Sequence, residues 1–272
     1  MRAVYHSVSD NGAIDLDHAQ SLIHIDGAND MVLALGRVYP AGFQVPAHCH
    51  NKTQLWCARR GVVLVSTTGR RWMIPPGHGL IIPAGIEHQT EMISEVEMQS
   101  IYVDLAVIGA EGPRVVAVTP LAGNLMTELL AHDERPITAR RQRLIMDLLL
   151  DEIARLPERP LGLPFPGDKR LAALCRDFLR APAAHVGIDD WAGALGMSRR
   201  SFTRLFRTET GLSFVTWRQQ ACIFSCLPRL ADGESVTNVA LDVGYENIGA
   251  FTTMFRRMLG SAPSLYLKSQ IG

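Results

Sequence analysis

Ile188-Asp-Asp-Trp-Ala-Gly-Ala-Leu-Gly196-Met-Ser198, running directly into Arg199-Arg-Ser-Phe-Thr-Arg-Leu-Phe-Arg207, is the stretch that decides the fold of the C-terminal third of this chain. A short helix carrying Ala192 and Leu195 on its inner side meets Gly196, a residue that accepts the left-handed turn conformation. Ser198 is placed to cap a second helix, because its hydroxyl can accept a backbone N–H of the first turn. Helical spacing then sends Phe202, Leu205 and Phe206 inward. Arg199 opens the first turn, and Arg200, Thr203, Arg204 and Arg207 populate the other surface. A helix presented to a DNA major groove needs a polar, cationic outer face of this kind.

The plan recurs downstream. Val236-Thr-Asn-Val-Ala240-Leu-Asp-Val-Gly244-Tyr245 precedes Asn247-Ile-Gly-Ala-Phe-Thr-Thr-Met-Phe-Arg256-Arg257. Ala240 lets two helices approach, Gly244 makes the turn, and Phe251 and Phe255 anchor the second helix. Its outer face offers Asn247, Thr252, Thr253 and Arg256. Phe214–Leu227 is long enough for a rigid connecting helix, which Pro228 is expected to end. Two readers separated by one helix suit successive major grooves, about 34 Å apart. A single pair of this kind is also what a plain helical bundle offers; the tandem, each time with a polar or basic second helix, is what points to DNA.

On these residues the chain resembles the AraC family of transcription regulators, without gaps over about 188–267. The resemblance includes GMSRRSFTRLFRTETGLSF (196–214), VALDVGYENIGAFTTMFRRMLGSAPSLYL (239–267) and the closing Gly260-x-x-Pro263. It implies a sequence-specific regulator of transcription that binds double-stranded DNA as a homodimer. It implies contacts from Arg199, Arg200, Thr203, Arg204 and Arg207, then from Asn247, Thr252 and Arg256. This chain departs from the family at Cys222-Ile223, where Arg-Leu is usual, and at Gly249, where serine is usual. Glycine costs about 1 kcal/mol of helix propensity, so the first unit is expected to be the stronger reader.

Bulk properties agree. Of 272 residues, 47% are hydrophobic and 20% charged, an ordinary globular composition. The formal net charge of zero hides an asymmetry: residues 1–167 hold 14 Lys/Arg against 18 Asp/Glu, residues 168–272 hold 13 against 9. Of those 13 cations 11 are arginine, the residue whose planar fork matches phosphates and guanine edges. No apolar run approaches the roughly 18 residues that span a bilayer, and MRAVYHSVSDNGAIDLD lacks the apolar core of a secretory signal. Five cysteines without metal-ligand spacing suit reduced thiols, so the expected place is the cytoplasm.

Upstream the periodicity changes. From about Val32 to Val107, short runs (MVLALGRVY, LWCA, GVVLVST, RWMIPP, GLIIP, MQSIYVDL) are separated by Gly, Pro and charged turns, which predicts an antiparallel barrel or sandwich. Apolar residues from Pro120 to Leu156 recur at helical spacing, Leu125, Leu129 and Leu130, then Leu144, Ile145, Leu148, Leu149 and Ile153. Those helices are expected either to join two copies or to pack on their own barrel. Residues 156–168 hold Pro157, Pro160, Pro164 and Pro166 and read as a linker. The expected division is 1–118 for an effector-sensing β-barrel, 119–167 for helices and linker, and 168–272 for the all-α DNA-binding domain.

Within the β-rich half stand Gly42-x5-His48-x-His50-x3-Gln54-x6-Gly61 and Gly77-x5-Pro83-x-Gly85-x2-His88. These spacings resemble the two motifs of the cupin barrel, with Gln54 where glutamate is usual and Met92 where asparagine is usual. Residues two apart on a strand share a face, so His48 and His50 are expected to point inward together and away from Cys49, with His88 joining them. Imidazole suits several divalent first-row ions, so Zn, Mn, Fe or Ni at His48, His50, Gln54 and His88 is one reading. A metal-free polar pocket for a small-molecule effector is the other. Trp56 and Trp72 read as barrel packing. Three functions compete: a ligand-responsive DNA-binding regulator, a metal-dependent cupin enzyme (dioxygenase or isomerase) with a helical appendage, and a DNA-binding protein whose cupin half only dimerises. The regulator leads, because no acid/base partner accompanies the histidines.

Overall fold

The computed structural model describes residues 4–7, 32–103, 112–131, 138–231 and 233–265. Its strands, in chain order, are β1 (Val4–Ser7), β2 (Val32–Tyr39), β3 (Gln44–His48), β4 (Thr53–Arg60), β5 (Val63–Thr67), β6 (Arg70–Ile74), β7 (His78–Ile82), β8 (His88–Met92), β9 (Val96–Val103), β10 (Arg114–Ala117), β11 (Glu158–Arg159) and β12 (Gly162–Pro164). The helices are α1 (Pro120–Leu130), α2 (Ala139–Arg155), α3 (Lys169–Arg180), α4 (Ile188–Ala194), α5 (Arg199–Thr210), α6 (Phe214–Ala231), α7 (Val236–Asp242) and α8 (Ile248–Leu259). The chain divides into two units, residues 1–67 with 74–159, and residues 68–73 with 160–272. Among the described residues no helix is long and apolar enough to cross a membrane.

In the first unit, seven strands form one sheet in the order β1-β2-β9-β4-β7-β10-β11. β8 pairs with β3 on one side and β5 on the other in a second, antiparallel ladder. The expected antiparallel β domain is present, as two sheets rather than one closed cylinder, and β1 joins parallel to β2. The register of β4 on β9 sets Gln54 against Tyr102 and Trp56 against Ser100 on one face. Leu55, Cys57, Ile81, Ile101 and Val103 lie on the other face and are buried under the helices.

Those helices cover their own sheet. Thr119 caps α1 by accepting from Ala122 N, with Pro120 in the first turn, where its missing N–H costs nothing. Thr138 caps α2 in the same way, through Arg141 N. Met126, Leu129, Leu130, Ile145, Leu149 and Ile153 bury against the sheet, each such side chain contributing about 1.5–3 kcal/mol of apolar burial. The remaining stripe of α2 is left outside, with Leu144 at 59% and Leu148 at 43% exposure.

The second unit starts where a linker was expected. Residues 160–167 do not run free: β12 pairs antiparallel with β6 (Gly162 with Trp72, Leu163 with Arg71), and Phe165 N donates to Gly69 O at 2.9 Å. Gly162 lies close under Trp72: a Cβ there would sit 3.0 Å from the indole nitrogen, so a side chain requires the indole to give way. The segment 68–73 thus belongs with the C-terminal residues although it lies within the sequence of the β domain. Trp217 of α6 donates its indole N–H to Pro164 O at 2.8 Å, and Gln220 donates to Pro160 O at 3.0 Å.

α6 also corrects an expectation. It continues through Pro228 to Ala231 instead of ending there. A proline this close to the C-terminus forfeits one intrahelical bond, and the buried Leu227 and Leu230 hold the last turn in place. The sequence also predicts a closing helix at 263–269, of which residues 263–265 are helical and the rest lie outside the described residues.

Candidate functional site

Aromatic packing sets the first helix pair. Trp191 of α4 lies with its ring centroid 4.9 Å from Phe214, 5.8 Å from Phe178, 5.9 Å from Trp217, 6.2 Å from Phe206 and 6.3 Å from Phe202. Edge-to-face rings at these separations contribute about 0.5–1.5 kcal/mol per pair beyond area burial. They fix α5 against α4 and α6. Ser198 caps α5 through Ser201 N. With Phe202 and Phe206 buried, Arg199, Arg200, Thr203, Arg204 and Arg207 are all exposed. Leu205, expected to face inward, is only half-buried.

The five exposed positions differ in what they have left to offer. Arg199 pairs with Asp189 at 3.1 Å, and Thr203 donates its hydroxyl to Arg199 O at 2.8 Å. Arg200, Arg204 and Arg207 recur at four- and three-residue spacing and so share one face of α5.

The second pair is built differently. Ser235 caps α7, whose Val239 and Ala240 are buried. α8 buries Phe251, Met254, Phe255, Met258 and Leu259. Asn247 is the N-cap of α8, its side-chain oxygen accepting from Gly249 N at 2.7 Å and Ala250 N at 3.3 Å. A Cβ on Gly249 would lie 2.9 Å from that oxygen, which gives this glycine a local reason. Thr252 is half-buried, Thr253 donates back to Gly249 O, and Arg256 is exposed. Arg257 donates to Gln219 of α6.

Arg229 near the end of α6 bridges Glu234 (2.7 and 2.5 Å) and Asp242 (2.5 Å). Its hydrogen bond holds the Glu234 carboxyl below the usual carboxylate range, and the two carboxylates push Arg229 further up. Sequence reasoning missed this bridge, because no periodicity marks a contact across a loop.

In the first unit, His48, His50 and His88 converge as expected, each bringing a ring nitrogen within 4.8 Å of the others. Strand alternation alone does not achieve it. β3 carries an irregularity between Val45 and His48, and its last residue, His48, pairs with His88. His50 lies beyond the strand, where its carbonyl accepts from Gly85 N at 2.9 Å. Gly85 has a φ of +77°, in the left-handed region. The turn that delivers His88 is thus stapled to the segment that delivers His50.

Each ring turns Nδ1 to a backbone carbonyl: His48 to Pro46 O at 2.9 Å, His50 to Lys52 O at 2.6 Å, His88 to Ile86 O at 2.9 Å. A carbonyl can only accept, so all three Nδ1 atoms carry the proton, and in a neutral ring Nε2 keeps the lone pair. Metal-binding histidines are oriented in this way by their outer partners.

Gln54 completes the set. Its Oε1 lies 3.1 Å from His50 Nε2, and its Nε2 donates to Ser100 Oγ at 3.0 Å and Tyr102 OH at 2.8 Å. Ser100 gives its own proton to Met98 Sδ at 3.0 Å, so toward Gln54 it can only accept. The amide oxygen is therefore aimed at the histidines. With the His50 ring protonated on both nitrogens, Gln54 Oε1 accepts from Nε2 at 3.1 Å. With the ring neutral the two atoms are both acceptors, which a shared cation would satisfy, so the donor set fits a first-row ion. No sequence pattern marks Met98, Ser100 and Tyr102, since only the register of β4 on β9 brings them to Gln54.

Residues 191–269 match the family described as a helix-turn-helix domain, and residues 32–154 the family described as an AraC-like ligand binding domain. The chain is 30% identical over 223 residues to the HTH-type transcriptional regulator NimR of Escherichia coli K12, covering 82% of each. It is 33% identical over 129 residues to the HTH-type transcriptional regulator RipA of Corynebacterium glutamicum, covering 46% of this chain and 38% of RipA. Among solved structures, ToxT of Vibrio cholerae aligns over 89% of this chain and all of its own, at 10% identity and a TM-score of 0.38.

The two turn glycines separate by mutation. Gly244 has a φ of +82°, and a Cβ there would lie 2.9 Å from His185 Nδ1 and 3.1 Å from Ala184 N; Gly196, at +65°, has nothing within 4 Å. Gly196→Ala is expected to cost about 1–2 kcal/mol of backbone strain. Gly244→Ala is expected to cost a further 1–3 kcal/mol, roughly, for the crowding. Urea unfolding of both variants checks this; equal losses would refute the close approach at Gly244.

Proposed function

The chain belongs to the AraC family, as a DNA-binding transcriptional regulator with a ligand-binding domain, and from that premise we propose that α5 is its principal DNA reader, α8 its secondary one, and the histidine cluster its point of sensing. The observation that carries the first part is the shared exposed face of Arg200, Arg204 and Arg207 on a helix held by Trp191. Arg199 and Thr203 flank it. Asn247, Thr252 and Arg256 of α8 make a weaker set, since Asn247 is committed to its cap and one arginine remains to meet phosphate or base. The test is a mobility-shift assay on DNA flanking the chain's own gene. A bidentate arginine–guanine pair contributes about 1–3 kcal/mol. Arg204→Ala is thus expected to lose at least about ten-fold in specific affinity with unchanged thermal unfolding. Undiminished binding by that variant removes Arg204 from the reading set, and no specific binding by the wild type removes the proposal.

We assign the sensing role to a divalent ion (Zn, Mn, Fe or Ni) held by His48, His50, His88 and the amide oxygen of Gln54. The three carbonyl-anchored Nδ1 atoms and the aimed amide favour this over a metal-free pocket. A regulator is favoured over a dioxygenase or isomerase by the helix-turn-helix match and by the 30% identity to a transcriptional regulator over 82% of the chain. Metal analysis of untagged protein is expected to give about one ion per chain, lost in His50→Ala. A trace content indifferent to His50→Ala would leave the cluster as a polar pocket.

The working form is a cytoplasmic homodimer. α2 presents Leu144 and Leu148 to solvent, with Arg140 and Arg143 in its first half and Asp147 in its second, while Arg141, Asp151 and Glu152 pair within their own chain with Glu128, Arg155 and Thr119. Antiparallel pairing with the same helix of a second copy sets cations against anions along that stripe and closes a two-fold interface. Leu144→Asp with Leu148→Asp is expected to turn a dimer into a folded monomer in sedimentation. A wild-type monomer, or a dimer untouched by both changes, would rule this interface out.

A further inference from the structure

α5 and α8 share one frame. Each begins after an N-cap whose side chain accepts from the first turn, Ser198 in one and Asn247 in the other. Each buries phenylalanines four and eight residues after that cap, Phe202 and Phe206 or Phe251 and Phe255, and each ends on a left-handed glycine, Gly211 or Gly260. In this frame Ile248, Gly249 and Ala250 stand where α5 carries Arg199, Arg200 and Ser201, and all six are exposed. The first turn of a reading helix is the part that reaches base edges. In α5 that turn is cationic and hydroxylic. In α8 its three side chains have no donor or acceptor, because isoleucine, glycine and alanine carry none. Beside them, Asn247 gives its side-chain oxygen to Gly249 N and Ala250 N, and Thr253 gives its hydroxyl proton to Gly249 O at 2.9 Å. What the turn offers is carbon, chiefly Ile248 at 41% exposure. A single exposed isoleucine is ordinary on a protein surface; its place in the first turn of a reading helix is what gives this one a role. Of the groups that base pairs present in the major groove, the apolar one is the C5-methyl of thymine.

Resting on the assignment of α8 as the secondary reader, we propose that Ile248 is a specificity-determining residue that packs against a thymine methyl in the major groove. The two helices then read different chemistry. α5 takes guanine edges with its arginines, and α8 takes thymine methyls with an apolar first turn. The DNA site accordingly carries guanines under α5 and thymines under α8, about one helical turn away.

The test uses the full chain and the DNA segment it protects beside its own gene. Thymines are replaced singly by deoxyuridine, which lacks the methyl and keeps the hydrogen-bonding edge. Guanines are replaced singly by 7-deazaguanine, which lacks the N7 acceptor. Loss of a buried methyl is expected to weaken wild-type binding about three- to five-fold at one or two thymines. Ile248→Ala is expected to lose most of that response at those thymines and to keep the response to 7-deazaguanine, with unchanged thermal unfolding. Arg204→Ala is expected to keep the response to deoxyuridine and to lose the response at one guanine. Wild-type binding indifferent to deoxyuridine at every thymine, or an Ile248→Ala protein as sensitive to it as the wild type, would overturn the thymine assignment while leaving α5 and its guanines standing. Absence of any specific DNA binding would overturn the reader assignment and this inference with it.

Discussion

A carbonyl oxygen can accept a hydrogen bond and never donate one, and the chemistry of the β domain follows from where three such oxygens stand. Pro46, Lys52 and Ile86 each present one to an imidazole two residues away. In doing so they decide which nitrogen of each ring is left for other work. The backbone irregularity in β3 and the Gly85 turn bring those carbonyls and rings into position. From the opposite sheet, Met98 fixes Ser100, Ser100 fixes Gln54, and Gln54 faces His50. The site is thus a chain of donors and acceptors that runs from Met98 to Gln54 and ends on His50 Nε2 and Gln54 Oε1, a contact that a proton or a shared cation completes.

The two helix pairs solve one problem with unequal means. α4 and α5 are locked by rings around Trp191, which leaves the polar side of α5 to its arginines. α7 and α8 are locked by an approach tight enough that Gly244 sits against residues 184 and 185, and by Arg229 clasping Glu234 and Asp242. α8 then uses Asn247 for its own cap and Thr253 for its own backbone. The contrast lies in how many side chains the fold leaves uncommitted.

Much of this was legible in the sequence because it is local. Turn glycines at 196 and 244, the cap at Ser198, and the phenylalanine spacing of α5 and α8 depend on residues within one or two helical turns. The spacing of His48, His50 and His88 told which residues meet, but not how, since His50 lies past the end of its strand. What stayed hidden was set by register or by competition. Ser100 and Tyr102 reach Gln54 across 46 and 48 residues of chain. Pro228 reads as a stop, yet burial of Leu227 and Leu230 outweighs one lost bond. The proline-rich stretch reads as a loose linker, yet β6 offers it an edge on which prolines are tolerated.

That edge bears on how proteins of this build exchange parts. Residues 68–73 lie within the sequence of the β domain, yet they keep company with residues 160–167: a ladder with β12, a bond from Phe165 to Gly69, and the Arg71 guanidinium 5.1 Å over the Phe165 ring. A chimera joined at residue 160 inherits the helical domain without six residues that complete it. Its new partner must bring a hairpin of matching sequence, or Trp217 and Gln220 will anchor a strand that has lost its neighbour. Recombination at a single junction therefore breaks something, and successful shuffling of sensors onto this DNA-binding domain requires two grafts that travel together.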